Sequence, residues 1–506
     1  MPMSVWRELR VLTRDVKATR HGTPMSKRTG DHSCVHHATL PSTLTRREML
    51  GVGLGAVTGM FALPTALIAA SDSGFLARTT ARFGAGMRPE IDVAVRAARW
   101  IRTARIETSH GITWPADPAK PASVGTDLYN GTPGVVLFHL ELYHATGDRS
   151  WLDEACLGAN ELAALLPTID KTRDCGLYTG LAGAAFVLEE THRASGQGRY
   201  RDASRQAVMM IHAHAQKAGA GVAWAGESAT SDIISGNSGI GLFLLWADTH
   251  MDDPPSRALA VAAGRRLLEL GLPAGGGTKW AVAPGTKNLY PNFSHGTAGV
   301  AYLLATLYQV TGERPFLDAA LAGARYLAAI AITERDGFKV FHHEPGGEDL
   351  FYLSWCHGPA GTSRLFYRLA DVSQDARWRE MIRRGARATI DSGLPEQRSP
   401  GFWNNVSQCC GNAGVGEYFL SLQRLMPDPA YAEMVRRVAA DTLRRATPAG
   451  DGIKWIQAEN RVQPEVVVAQ TGYMQGASGV GTLFLHMDAA AQRRPAPIGW
   501  PDSPFA

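Results

Sequence analysis

The 506-residue sequence predicts an all-α protein in which seven helical hairpins close into a ring, an α/α toroid. Three observations predict it: a sevenfold glycine motif, an amphipathic segment ahead of its copies, and apolar helices at both ends of the array. The motif is Gly-x-x-Gly opening an apolar run, in "NGTPGVVLFHL", "TGLAGAAFVLE", "SGNSGIGLFLL", "HGTAGVAYLLA", "HGPAGTSRLFY", "CGNAGVGEYFL" and "QGASGVGTLFL". Its first glycines are Gly131, Gly180, Gly236, Gly296, Gly358, Gly411 and Gly476. They recur every roughly 50–65 residues, a longer period than common helical repeats have.

Each element follows from its pattern. Segments such as "EIDVAVRAARWIRTARI", "WLDEACLGANELAALL" and "PFLDAALAGARYLAAIA" place apolar residues at three- and four-residue steps with charges between them. That is the pattern of a helix with one solvated face. The runs after Gly-x-x-Gly are apolar nearly all round, as buried helices are. The expected unit is outer helix, connector, glycine turn, inner helix. An open stack needs polar capping repeats, yet "GVVLFHLELY" and "GVGTLFLHM" are as apolar as the middle copies. Closure is therefore expected, with glycines admitting close backbones at the crowded inner end. Short strand hairpins are expected only in connectors such as "TKWAVAP" and "GIKWIQAENR".

The N-terminus reads differently. Residues 41–73, "PSTLTRREMLGVGLGAVTGMFALPTALIAASDS", resemble a twin-arginine export signal: Arg46-Arg47 precedes an uncharged, glycine-rich apolar stretch. That run of about 20 residues is also long enough for a membrane anchor. The expected division is a leader over 1–44, the signal or anchor over 45–70, the toroid over 88–490 and a tail over 491–506. Export by the twin-arginine translocation machinery, which carries folded proteins, is the expected localisation, with membrane contact only through this segment. Basic and acidic residues nearly balance, 51 against 47, and no dense basic run follows the leader, so nucleic-acid binding has no electrostatic footprint.

If the inner helices run one way, the residues before the first glycines form a ring at one mouth: Asn130, Thr179, Ser235, His295, His357, Cys410 and Gln475. One step back stand Tyr129, Tyr178, Ile234, Ser294, Cys356, Cys409 and Met474. Cys356 then faces Cys409 and Cys410 across neighbouring helix starts. Unpaired N–H groups and partial positive charge there favour thiolate. Three thiolates suit Zn²⁺, and an open fourth position would mark a catalytic rather than a structural site. The alternatives are three small buried residues or a disulfide in an exported protein. Adjacent cysteines rarely bridge each other. Cys34, Cys156 and Cys175 complete no set.

The motifs "WCHGPAG", "CCGNAG", "NFSHGTAG" and "SDIISGNSG" resemble the LanC-like family of lanthionine synthetase C (cyclase) proteins and their relatives, over roughly residues 90–490. The resemblance implies an α/α toroid with zinc at its mouth, held by Cys356, Cys409 and, where the family commonly has histidine, Cys410. It implies addition of a thiol, from a peptide cysteine or a small molecule, to a dehydroamino acid, giving a thioether. His295 matches the family's active-site histidine and Asp232 its aspartate partner. Two positions depart: Tyr352 stands where bacterial cyclases have arginine, and His357 follows the first zinc cysteine, as in eukaryotic relatives. His357 is thus a candidate proton donor or supporting group. The pair His342-His343 with Glu344 reads as a solvated loop, and Trp224, Trp280, Trp403 and Trp455 as barrel caps or a groove rim. A glycosidase needs two carboxylates flanking a bond; Asp232, Glu227 and Asp349 form no pair in the repeat register. A zinc-stabilised peptide-binding module is the non-enzymatic alternative.

Overall fold

The computed structural model describes residues 88–226 and 229–505. The leader, the twin-arginine segment and Glu227 lie outside the described residues. Among the described residues fourteen α-helices carry the fold. The inner set is α2 (Thr132–Thr146), α4 (Leu181–Ser195), α6 (Asn237–His250), α8 (Thr297–Thr311), α10 (Pro359–Ser373), α12 (Asn412–Leu425) and α14 (Ala477–Ala491). The outer set is α1 (Pro89–Arg102), α3 (Arg149–Thr172), α5 (Gly198–His214), α7 (Pro254–Glu269), α9 (Arg314–Ile330), α11 (Ala376–Asp391) and α13 (Pro429–Arg444). Among the described residues no helix is long and apolar enough to cross a membrane.

Neighbouring inner helices touch in chain order, and α14 touches α2, so the ring is closed. The hairpin register differs from the expected unit. Each inner helix packs most closely on the outer helix that follows it, across a short reversal such as Gly147, whose φ of 72° suits glycine. This leaves α1 without an inner helix before it. It packs instead on α14, so the first and last helices close the seventh pair. The sequence could not show this, because both loops beside an inner helix contain turn residues.

Seven glycine turns hold the inner helices at one end. The first glycine of each motif is the N-cap, in extended backbone without a side-chain cap. Side-chain capping is replaced by the chain itself: Thr132, Leu181, Asn237, Thr297 and Ala477 donate their amides to carbonyls seven residues earlier, at 2.8–3.0 Å. That fold-back lays a carbonyl over the second glycine. A Cβ at Gly361 would stand 1.9 Å from the Trp355 oxygen, and one at Gly239 2.0 Å from the Ile233 oxygen.

The turns also bond to one another around the whole ring. Backbone amides donate from Tyr129 to Tyr178, Tyr178 to Ile234, Ile233 to Ser294, Ser294 to Cys356, Cys356 to Cys409, Cys409 to Met474 and Met474 back to Tyr129, at 2.8–3.1 Å. Small antiparallel hairpins cap the outer helices, including Gly277–Lys279 and Gly452–Trp455 in the two connectors singled out above. Further hairpins stand in other connectors, at Gln216–Ala223 and Ile106–Thr113. The connector tryptophans are buried caps: the Nε1 groups of Trp224, Trp280 and Trp455 donate to Ile211, Leu267 and Thr442 carbonyls at 2.7–2.9 Å.

Replacing Gly361 with alanine forces a Cβ into backbone and should cost about 3 kcal/mol or more. Gly147→Ala meets open space and pays only for its left-handed backbone, about 1–2 kcal/mol. Denaturant midpoints of the two variants check this order; equal losses would contradict it.

Candidate metal centre and active site

The ring of turns brings the three predicted cysteines together. The Cys356 amide bonds to the Cys409 carbonyl, which aligns two neighbouring helix starts. The Sγ atoms of Cys356 and Cys410 are 3.4 Å apart, those of Cys410 and Cys409 3.3 Å, and all three lie within 4.8 Å of one another. All are buried, and none is in a disulfide. Cys156 and Cys175 are also free and buried but do not join the group, and Cys34 lies outside the described residues.

A tetrahedron of 2.3 Å zinc–sulfur bonds has edges of about 3.8 Å, so a small opening of this cluster would seat a metal ion. Among the described residues no fourth His, Cys, Asp or Glu atom completes the set. Gln475 Nε2 approaches Cys410 Sγ at 4.0 Å, an N–H aimed at sulfur of the kind that supports ligating thiolates. Burial alone would raise the Cys409 thiol. Hydrogen bonds from Cys356, Cys410 and Tyr129, with His295 nearby, instead bring it well below the ordinary thiol range. The hydrogen bonds its own thiol makes to the Cys356 and Cys409 sulfurs, then burial, hold Cys410 well above that range. A helix start contributes at most about 2 kcal/mol, or about 1.5 pKa units. That cannot hold three thiolates against their repulsion; a divalent cation can.

His295 and Asp232 meet as predicted. His295 Nδ1 donates to Asp232 Oδ2 at 2.6 Å, and Asp232 Oδ1 accepts from the Ser235 amide at 3.1 Å. Asp232 is 2% exposed and His295 28%, so the carboxylate is committed to the ring while the imidazole reaches the mouth. Fixing Nδ1–H leaves Nε2 as the basic atom.

His357 is placed beside them, its ring 5.7 Å from that of His295 and its Nε2 3.4 Å from Ser294 Oγ. Its Nδ1 is buried without a hydrogen-bond partner. His342 and His343 correct the reading of a solvated loop: both are buried. His342 packs its ring 4.2 Å from His357 and 4.4 Å from Tyr352, and its Nδ1 lies 2.8 Å from that of His343. Gly347 permits this, since a Cβ there would stand 2.1 Å from His343 Nδ1. Burial, then the neighbouring histidines, push His357 well below the usual imidazole range; burial, His343 and Arg461 do the same for His342. Both are neutral at pH 7. No local signal distinguished this pair from a surface loop, because it is buried where its connector folds back on Tyr352 and His357 and meets Tyr290 of the preceding connector. Glu344 bonds to Lys279 and Tyr326 instead, and Asp349 is exposed.

Asp441 of α13 organises the connector that carries Cys409 and Cys410. It accepts from Arg398 at 2.5 Å, Arg445 at 2.8 Å and Asn412 at 2.9 Å, and Arg398 bonds on to the Trp403 carbonyl. Residues 122–503 match the model of the lanthionine synthetase C-like protein family. The chain belongs to that family. No curated protein sequence matches it. Among solved structures, this LanC-like chain superposes on one titled nisin cyclase with a TM-score of 0.54 and 15% identity, over 78% of this chain and 93% of that one. A family 76 glycoside hydrolase from a bovine Bacteroides thetaiotaomicron strain gives 0.45 and 14%, over 80% and 78%. The Lin0763 protein from Listeria innocua gives 0.44 and 11%, over 81% and 99%. At these identities the likeness is one of fold.

Burial opposes ionisation of Asp441, but hydrogen bonds from Asn412 and Arg445 and the charge of Arg398 hold its pKa below the usual carboxylate range. A depressed carboxylate stabilises the fold above its unfolded pKa, about 3.9, and loses this as pH falls through its folded value. Asp441→Asn should therefore cost about 2–3 kcal/mol at neutral pH, with the deficit shrinking below about pH 4. Thermal midpoints of both proteins across pH 3–8 test this; a deficit constant with pH would contradict it.

Proposed function

We propose that this LanC-like protein is a zinc-dependent enzyme that adds a thiol to a dehydroamino acid, forming a thioether as lanthionine cyclases do. The single observation that supports it most is the buried group of three sulfurs, with no fourth His, Cys, Asp or Glu ligand among the described residues, beside a histidine oriented by a buried carboxylate. Zinc bound there would supply an open coordination position at which a substrate thiol is held as thiolate at neutral pH. Three cysteines give the donor set one more negative charge than two cysteines and a neutral imidazole. That favours nucleophilicity of the fourth thiolate over its acidification.

The chain's own residues handle the proton. His295 Nε2, its Nδ1–H fixed on Asp232, accepts the proton that leaves the substrate thiol. It returns that proton to the α carbon once sulfur has bonded to the β carbon, so the addition balances without an oxidant or reductant. The adjacent helix start offers positive charge to the enolate while it lasts. Buried His357, backed by His342 and Tyr352, forms the wall beside His295 and fixes its position. A peptide or small-thiol substrate and export by the twin-arginine route remain part of this proposal. In the glycosidase alternative Asp232 would have to act while committed to His295.

Incubation with a dehydroalanine peptide and a thiol, followed by mass analysis, tests the reaction. We expect a thioether product from the native chain, about one zinc per chain, and loss of both zinc and product in Cys410→Ala. His295→Ala should keep its zinc and lose about 10²–10⁴-fold in rate. Oligosaccharide cleavage without thioether formation would overturn the proposal.

A further inference from the structure

After α14 the chain runs exposed over residues 492–497; from Ile498 to Phe505 it is half-buried to buried, with Ile498, Asp502, Pro504 and Phe505 buried. Trp500 packs on Tyr473 at 4.7 Å, in the turn before α14, and on Phe186 of α4 at 5.6 Å. Asp502 accepts from the Tyr178 hydroxyl at 3.0 Å, in the turn before α4, and from Arg364 of α10 at 3.0 Å; its carbonyl accepts from Arg364 at 2.8 Å. Phe505 meets Tyr367 of α10 at 5.1 Å. These partners belong to the seventh, second and fifth repeats. A segment of eight residues that touches inner helices at such separated stations lies inside the ring. It has entered from the end opposite the glycine turns, where α14 finishes.

What it touches also supports the site. Tyr178 packs at 5.2 Å on Trp355, the residue before Cys356, and the Arg364 guanidinium lies 5.9 Å from the same indole. Asp502 is 1% exposed and Arg364 16%, so this is a charge pair taken out of water. Neither member tolerates loss of the other, which makes the pair a pin rather than a loose contact.

We propose that residues 498–505 are an internal stopper, pinned by Asp502, that closes the barrel beneath the cysteine cluster and leaves the glycine-turn mouth as the way to it. A substrate is then presented from outside, as a peptide segment lying over the mouth or a small thiol, and is not threaded along the barrel axis. The placement stands on the geometry of the tail; its bearing on substrate rests on the function proposed above.

Alkylation of the purified full chain with a small thiol reagent, without removing bound metal, tests the stopper independently of activity, with zinc content matched between the variants and labelled cysteines located by peptide mass. In a chain ending at Pro495 we expect Cys356 and Cys409 to label at least tenfold faster than in the intact chain, while Cys156 on α3 keeps its rate. Asp502→Asn, which keeps the whole tail, should give a smaller increase at the same two cysteines. Unchanged labelling of Cys356 in both variants would overturn the proposal. So would an equal rise at all three cysteines, because the tail would then contribute only general stability.

Discussion

The closed circuit of backbone hydrogen bonds between glycine turns is the constraint on which the rest depends. Each link joins the segment before one inner helix to the segment before the next, and the last link returns from Met474 to Tyr129. A ring of this kind allows little independent movement, because shifting one turn strains two neighbours. It also gathers seven helix N-termini, with the partial positive charge of their dipoles, at one mouth. Whatever side chains stand there are held by the backbone rather than by their own packing. Anionic sulfur and a histidine–carboxylate pair are the kinds of group such a mouth favours.

The glycines follow from that constraint. A turn that both folds back over its own helix and bonds sideways to the next turn places a carbonyl where a Cβ would be, as at Gly361 and Gly239. The outer helices, hairpins and capping tryptophans buttress this inner arrangement. Asp441 does so most directly, since its hydrogen bonds reach the connector leading into Cys409 and Cys410. Along the axis, the C-terminal segment supports the turns from within.

Much of this was legible because it repeats. Seven copies of one motif set the register, and the register placed Cys356 next to Cys409 and Cys410, while the family resemblance paired His295 with Asp232. Features that do not repeat were hidden. His342 and His343 look like any polar pair in a loop until the connector folds back, packing Tyr352 and His357 on His342, and Tyr290 from the preceding turn meets both. The seventh pair of helices is made from opposite ends of the chain, which local pattern does not show. The final residues carry no helical periodicity, so nothing in them announced that Trp500 and Asp502 sit among inner helices.

The central claim is that backbone closure places three sulfurs on one metal ion and leaves one position to substrate. X-ray absorption at the zinc edge on the purified chain measures this directly. The account predicts three sulfur neighbours at about 2.3 Å and one nitrogen or oxygen neighbour at about 2.0–2.1 Å. Four sulfurs, or a shell dominated by nitrogen and oxygen, would contradict it.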